Sequence, residues 1–314
     1  MSQTAKGMAA MVGATVIWGL SSMYYKLLAH IPPLEVLSHR TLWSLVFFGT
    51  VLALRGRLGE ITQLLARPRA LGLVALAAVA ISANWFGFIY AIQIDRAVEA
   101  SLGYYIFPLV AVLMGMVLFG EYLTRLKWFA VALAGIAVAV LTLGLGVTPW
   151  ISLWLAFTFG LYGMIKKRLD AGPTVSVTAE VVVLAPLALV WLWGVHTQGW
   201  TGVVGRNLGA FGHSLSDSLL LMFSGVLTAT PLMLFTTATR RLPMGTVGVM
   251  QYLNPTLQFF VAALVFAEPI TRWHWISLPL IWAAVALYSA ETLRQDRASR
   301  RLSARLSTSS TSAM

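Results

Sequence analysis

The chain has 314 residues, of which 58% are hydrophobic and 11% charged, with a formal net charge of +11 and no cysteine. Apolar runs of roughly 20 residues or more, the length that crosses a bilayer as a helix, recur along it. A water-soluble globule is excluded, since its helices would need charges at helical spacing on their outer faces. A β-barrel is excluded too, because its strands alternate apolar with polar residues, and without cysteine neither a disulfide nor a thiolate metal site enters.

In chain order, uncharged stretches run over 7–25, 70–94, 100–120, 128–165, 181–205, 218–239, 242–267 and 273–290. The stretch 128–165 is too long for one span and carries "VTPW", which predicts two helices joined by a turn at Thr148 and Pro149. A further span from Leu34 to Leu54 follows "HIPP", interrupted only by the charge of Arg40. The expectation is an all-α integral membrane protein of ten transmembrane helices. The first run is of full spanning length and lacks a small-x-small cleavage site, so it reads as a retained helix. Of the 22 Lys and Arg residues, 17 fall on one side if the N-terminus is inside, which puts both termini in the cytoplasm. The tail 294–314, basic and rich in Ser and Thr, reads as a disordered extension able to touch anionic lipid. The basic excess follows membrane orientation and needs no nucleic-acid partner.

The segment "YYIFPLVAVLMGMVLFGEYLTRLKW" (104–128) returns as "QYLNPTLQFFVAALVFAEPITRWHW" (251–275), matching Tyr105/Tyr252, Pro108/Pro255, Phe119/Phe266, Glu121/Glu268, Thr124/Thr271, Arg125/Arg272 and Trp128/Trp275. Two repeats are predicted, 7–146 and 148–293, each of five helices. An odd number of crossings inverts the second copy, an architecture common in secondary transporters. Pro108 and Pro255 lie in the middle of their spans, where a proline frees the carbonyl four residues earlier, on Tyr104 and Gln251. Either those carbonyls line a wet cavity or neighbouring helices satisfy them and the prolines only bend the chain.

Polar residues at membrane depth usually face a bundle interior or a water path. They occur in "LEVLSHR" (Glu35, His39, Arg40), "SANW" (Asn84, Trp85), "VEASLGYY" (Glu99, Ser101, Tyr104, Tyr105) and "TAEVVV" (Glu180). Glu35 and His39 stand four apart on one helix face, a spacing that allows local pairing, while Glu35 and Glu99 at helix starts also suit N-terminal capping. Arg40 lies about 9 Å inside its span at the helical rise. Pro33 aligns with Pro173, and Arg40 then aligns with Glu180, a carboxylate suited to proton coupling or to pairing with Lys166, Lys167 or Arg168. Gln251, Tyr252 and Asn254 complete the substrate-binding set with Trp18 and Trp85, which lie away from span ends. Glu121 and Glu268 read as fixing the turn into the next helix, and Lys26 as snorkelling to the outer interface. The run "AVALAGIAVAV" reads as close helix packing within the monomer or across a homo-oligomer. The five His residues, at 30, 39, 196, 213 and 274, show no metal-ligand spacing, and neither a nucleophile elbow nor a phosphate loop occurs, so no metal or cofactor is expected.

The segments "VIWGLSSMYYKLL", "LEVLSHRTLWS", "SANWFGFIYAI", "VEASLGYYIFPLV", "GVLTATPLMLFTTATRRLP" and "GVMQYLNPTLQF", in this order over 7–293, resemble the RarD-type transporters within the EamA-domain branch of the drug/metabolite transporter superfamily. The resemblance implies ten helices in two EamA repeats, a bacterial inner-membrane location and export of small organic compounds. The first repeat has Phe107 where the group often has Asn before the proline; the second has Asn254. The expected function is a secondary transporter, an exporter of small amphipathic or aromatic metabolites by alternating access, with a proton as candidate coupling ion. The alternatives are a passive facilitator and an integral-membrane enzyme.

Overall fold

The computed structural model describes residues 3–119, 123–146, 149–242 and 244–311. All regular structure among these is helical: α1 (Gln3–Leu27), α2 (Pro33–Leu54), α3 (Gly59–Leu65), α4 (Pro68–Gln93), α5 (Ala97–Phe119), α6 (Arg125–Leu145), α7 (Trp150–Lys167), α8 (Pro173–Gln198), α9 (Leu215–Thr239), α10 (Met244–Gln251), α11 (Leu253–Phe260) and α12 (Arg272–Thr311), with a 3-10 turn at Gly202–Val204 and a π-helical turn at Val261–Val265. Among the described residues, eight helices are long and apolar enough to cross a membrane. To these α7 adds 18 residues, and α10, α11 and the π turn form a broken rod over 244–265.

Local chemistry sets the boundaries. Pro33, Pro68 and Pro173 open α2, α4 and α8, where a missing N–H costs nothing. Ser214 caps α9 by accepting the Asp217 N–H. Gly146, with φ of 68°, ends α6 in the left-handed conformation that glycine adopts without strain. The split of 128–165 into two helices is as expected; Thr148 lies outside the described residues.

The two repeat prolines behave differently. α5 runs unbroken across Pro108. In the second copy the helix breaks at Tyr252, and Pro255 becomes the third residue of α11, where its absent N–H has no intrahelical acceptor to lose. The tail also differs from the expected disordered extension. α12 continues to Thr311, because "ETLRQDRASRRLSARL" contains neither Pro nor Gly and is rich in Leu, Arg, Gln and Ala, which extend a helix already nucleated in the span.

Helix packing follows a swap of halves. α1 packs on α9 as α7 packs on α4; α2 on α9 as α8 on α4; α5 on α7 as α11 on α1. Three pairs join counterparts directly, α2 with α8, α5 with α11 and α6 with α12. Small residues allow the closest approaches: a Cβ on Gly225 of α9 would sit 2.5 Å from the Trp43 backbone of α2, and one on Gly19 of α1 would sit 2.6 Å from Leu257 of α11. The core joins Tyr25 of α1 and Leu28 just beyond its end, Phe88 and Ile89 of α4, Leu102 of α5, Leu155 of α7 and Phe259 of α11. Leu143, Leu187 and Leu264 face outward, the arrangement that hydrocarbon solvates.

Candidate functional site

Two turns into α2, Arg40 is buried with 7% of its surface exposed. Its guanidinium carbon stands 4.0 Å from the Trp85 ring centroid on α4 and 5.7 Å from that of Tyr25 on α1. Its Nε has no hydrogen-bond partner. Lys26 pairs with Asp95, His30 with Asp217, Arg57 with Glu60, Arg96 with Glu99 and Lys166 with Glu180, whereas Arg40 has no carboxylate partner among the described residues. Removing a cation from water costs several kcal/mol, whereas ring faces return about 0.5–2 kcal/mol each. The arrangement is therefore an under-compensated positive charge walled by aromatic surface.

Beside it lies a closed polar network. Asn84, next to Trp85 in sequence, donates from Nδ2 to the Leu155 carbonyl at 2.9 Å and to Thr158 Oγ1 at 3.0 Å, and its Oδ1 accepts the Tyr104 hydroxyl at 2.9 Å. This ties α4 and α5 to α7. The next residue along α5, Tyr105, stacks on its repeat counterpart Tyr252 at 6.5 Å between centroids, and its hydroxyl shares a 2.7 Å hydrogen bond with Thr256. The Tyr252 hydroxyl is buried beside Ser289 with no hydrogen bond of good geometry.

The other expected residues disperse. Trp18 packs against Phe235 at 5.7 Å. Ser101 turns its hydroxyl back onto the Val98 carbonyl. Glu99 accepts from Arg96 Nε at 2.6 Å one turn away. Asn254 accepts from Gln258, and Gln251 is half-buried at the helix break. His39 faces away from Arg40 and stacks on Phe211 at 4.8 Å. A separate cavity of 140 Å³ between α5 and α7, lined by Phe107, Ala111, Gly160 and Met164 among others, contains none of the expected substrate residues.

Glu180 is enclosed, with 1% of its side chain exposed. It takes the Lys166 ammonium at 2.6 Å on one oxygen and the Tyr162 hydroxyl at 3.1 Å on the other. Glu268 departs from its expected role at the following turn. Its two oxygens accept the N–H groups of Ala97 and Val98 at 2.7 and 2.8 Å, capping α5 from the other half of the chain. Lys26 likewise does not snorkel freely but pairs with Asp95. Glu121 lies outside the described residues.

Sequence reasoning missed Tyr25 and His196. Tyr25 sits within "MYYK" with no spacing signal of its own. His196 comes to lie beside Glu35 and His39, although the chain shows no metal-ligand spacing.

The model of the EamA-like transporter family matches residues 5–143 and again 149–290. Protein RarD of Streptomyces exfoliatus is 42% identical over 288 residues, covering 92% of this chain and 89% of that one. An "uncharacterized transporter" of Vibrio cholerae is 35% identical over 297 residues, covering 94% and 96%. A crystal structure matches with a TM-score of 0.58 at 19% identity, covering 91% of this chain and 97% of the other, a likeness of fold.

Proposed function

Because the chain belongs to the EamA-like transporter family, we propose that it is a secondary transporter exporting small organic anions that carry an aromatic or otherwise flat apolar group. The observation that carries this reading is Arg40, a buried cation outside every ion pair among the described residues, with its charge against Trp85 and Tyr25. A substrate carboxylate would supply the missing counter-charge and its rings would stack on the same aromatic walls.

Alternating access by two inverted five-helix halves is supported by the paired packing of α1 to α6 with α7 to α12 and by the contact between Tyr105 and its counterpart Tyr252. Residues related by a two-fold axis touch only near that axis. The basic residues favour both termini on the cytoplasmic side of a bacterial inner membrane. Glu180, held by Lys166 and Tyr162, is the candidate proton carrier, since a buried carboxylate that changes partners during the cycle changes its proton affinity with them.

The test is uptake into liposomes of three size-matched aromatic probes, an acid, an amide and an amine, under an imposed pH gradient. The acid should be carried at least ~10-fold faster than the other two, a preference worth about 1.4 kcal/mol, and Arg40→Gln should abolish that preference. Equal transport of all three by the native protein, or an unchanged preference in the variant, would overturn the anion reading. Uptake that never exceeds equilibration would instead mark a passive facilitator.

A further inference from the structure

Glu35, His39 and His196 take no part in the proposed transport site. Glu35 and His39 lie one turn apart at the start of α2, on one helix face. The last turn of α8 brings His196 to them, and one ligand atom from each residue lies within 4.8 Å of the other two. Glu35 and His39 are 0% and 5% exposed, while His196 is open to solvent.

Two atoms in this cluster are unaccounted for. Glu35 Oε1 accepts the Ala210 N–H at 2.6 Å and the N–H groups of Gly209 and Phe211 also lie beside its carboxylate, but the buried Oε2 makes no hydrogen bond of good geometry. Nε2 of His39 is also buried and unpartnered. A native fold rarely leaves one buried acceptor unsatisfied, and here a carboxylate oxygen and an imidazole nitrogen of two residues one helical turn apart are both without a well-formed bond. The surrounding loop is built tightly around them. Asn207 donates to the Val195 and Trp200 carbonyls, fixing the loop across the end of α8, and Gly209, at φ of 53°, leaves only 3.2 Å between His196 Nδ1 and the place a Cβ would occupy.

We propose that Glu35, His39 and His196 form a binding site for a divalent transition metal of the zinc class. Two imidazoles and one carboxylate are the donor set zinc accepts, whereas calcium and magnesium require oxygen ligands. Metal–ligand bonds of about 2.0–2.1 Å put tetrahedral ligands ~3.3 Å apart, so the cluster needs a modest contraction, which the exposed His196 ring supplies by rotating. The metal would join α2 to α8, the counterpart helices of the two halves, at the end where α2 begins and α8 finishes. Binding would therefore stabilise the arrangement seen here.

The experiment uses the full chain in detergent, with affinity tag removed and stripped by a chelator, titrated with Zn²⁺ against a chromophoric competitor. The expected result is one Zn²⁺ per chain, a rise in thermal midpoint on binding, and at least ~100-fold weaker binding in His196→Ala, whose exposed position keeps the fold intact. His30→Ala, which removes the His30–Asp217 contact, should bind like the native chain, and excess Mg²⁺ should not compete. Absence of Zn²⁺ binding, binding unaltered in His196→Ala, or binding lost in His30→Ala would each overturn the assignment. The readout is binding alone, so its failure leaves the transport reading standing and the failure of that reading leaves it standing in turn.

Discussion

Replacing Glu268 by Ala removes a carboxylate that holds two backbone N–H groups from a helix 171 residues distant in the chain. Both bonds are short, at 2.7 and 2.8 Å, and Ala97, Val98 and Glu268 are 2%, 4% and 7% exposed, so water cannot take over either bond without opening the contact. Hydrogen bonds to a charged group contribute about 1.5–3 kcal/mol each, and a carboxylate at a helix N-terminus adds about 0.3–1 kcal/mol. Allowing for relaxation, Glu268→Ala should destabilise the fold by about 3 kcal/mol, a change of roughly 150-fold in the unfolding constant. Glu268→Gln keeps one acceptor oxygen but turns an amide toward the second N–H, and should cost about 2 kcal/mol. The neighbouring Lys26–Asp95 pair offers an internal standard. Its side chains are 32% and 68% exposed, and Lys26→Ala should cost less than about 1 kcal/mol. Equilibrium unfolding of the detergent-solubilised protein, followed by tryptophan fluorescence, measures all three. If Glu268→Ala unfolds within about 0.5 kcal/mol of the native chain, the capping energetics are wrong.

Two further outcomes follow from the buried polar groups. Tyr104→Phe removes only the hydroxyl bonded to Asn84 and should cost about 1 kcal/mol in the same assay, and Asn84→Ala, which also strips Thr158 and the Leu155 carbonyl of a donor, should cost about 2–3 kcal/mol; equal costs would show that α7 does not depend on Asn84. Glu180→Gln leaves the half-buried Lys166 beside a neutral amide and should destabilise by about 2 kcal/mol, while adding Lys166→Met should recover most of that loss; a double variant less stable than the single one would refute the pairing.

The class of the protein was legible from composition, because a chain apolar on all faces over roughly 20 residues at a time has only the bilayer to sit in. The start of α2 was legible because the prolines of "HIPP" state their position locally, and the duplication was legible as repeated text. Which groups meet was not. A helix that is apolar all round gives no period to say which face turns toward a neighbour, and among such helices partners are set by close packing and polar contacts. Thus the carboxylate of Glu268 reads as a turn residue until the fold carries it to the first turn of α5. His39 and Arg40, adjacent in sequence, read as one site until α2 points them in different directions, His39 toward Phe211 and His196, and Arg40 toward Trp85. Arg40 and Glu180 stand at matching positions in the two repeats, yet only Glu180 has a counter-ion, because α7 brings Lys166 alongside α8 while α1 brings Tyr25 alongside α2. Chain positions say what charges a membrane protein carries into the bilayer; the packing of its helices decides which of them are left without a partner, and it is those that have affinity to spare for a ligand.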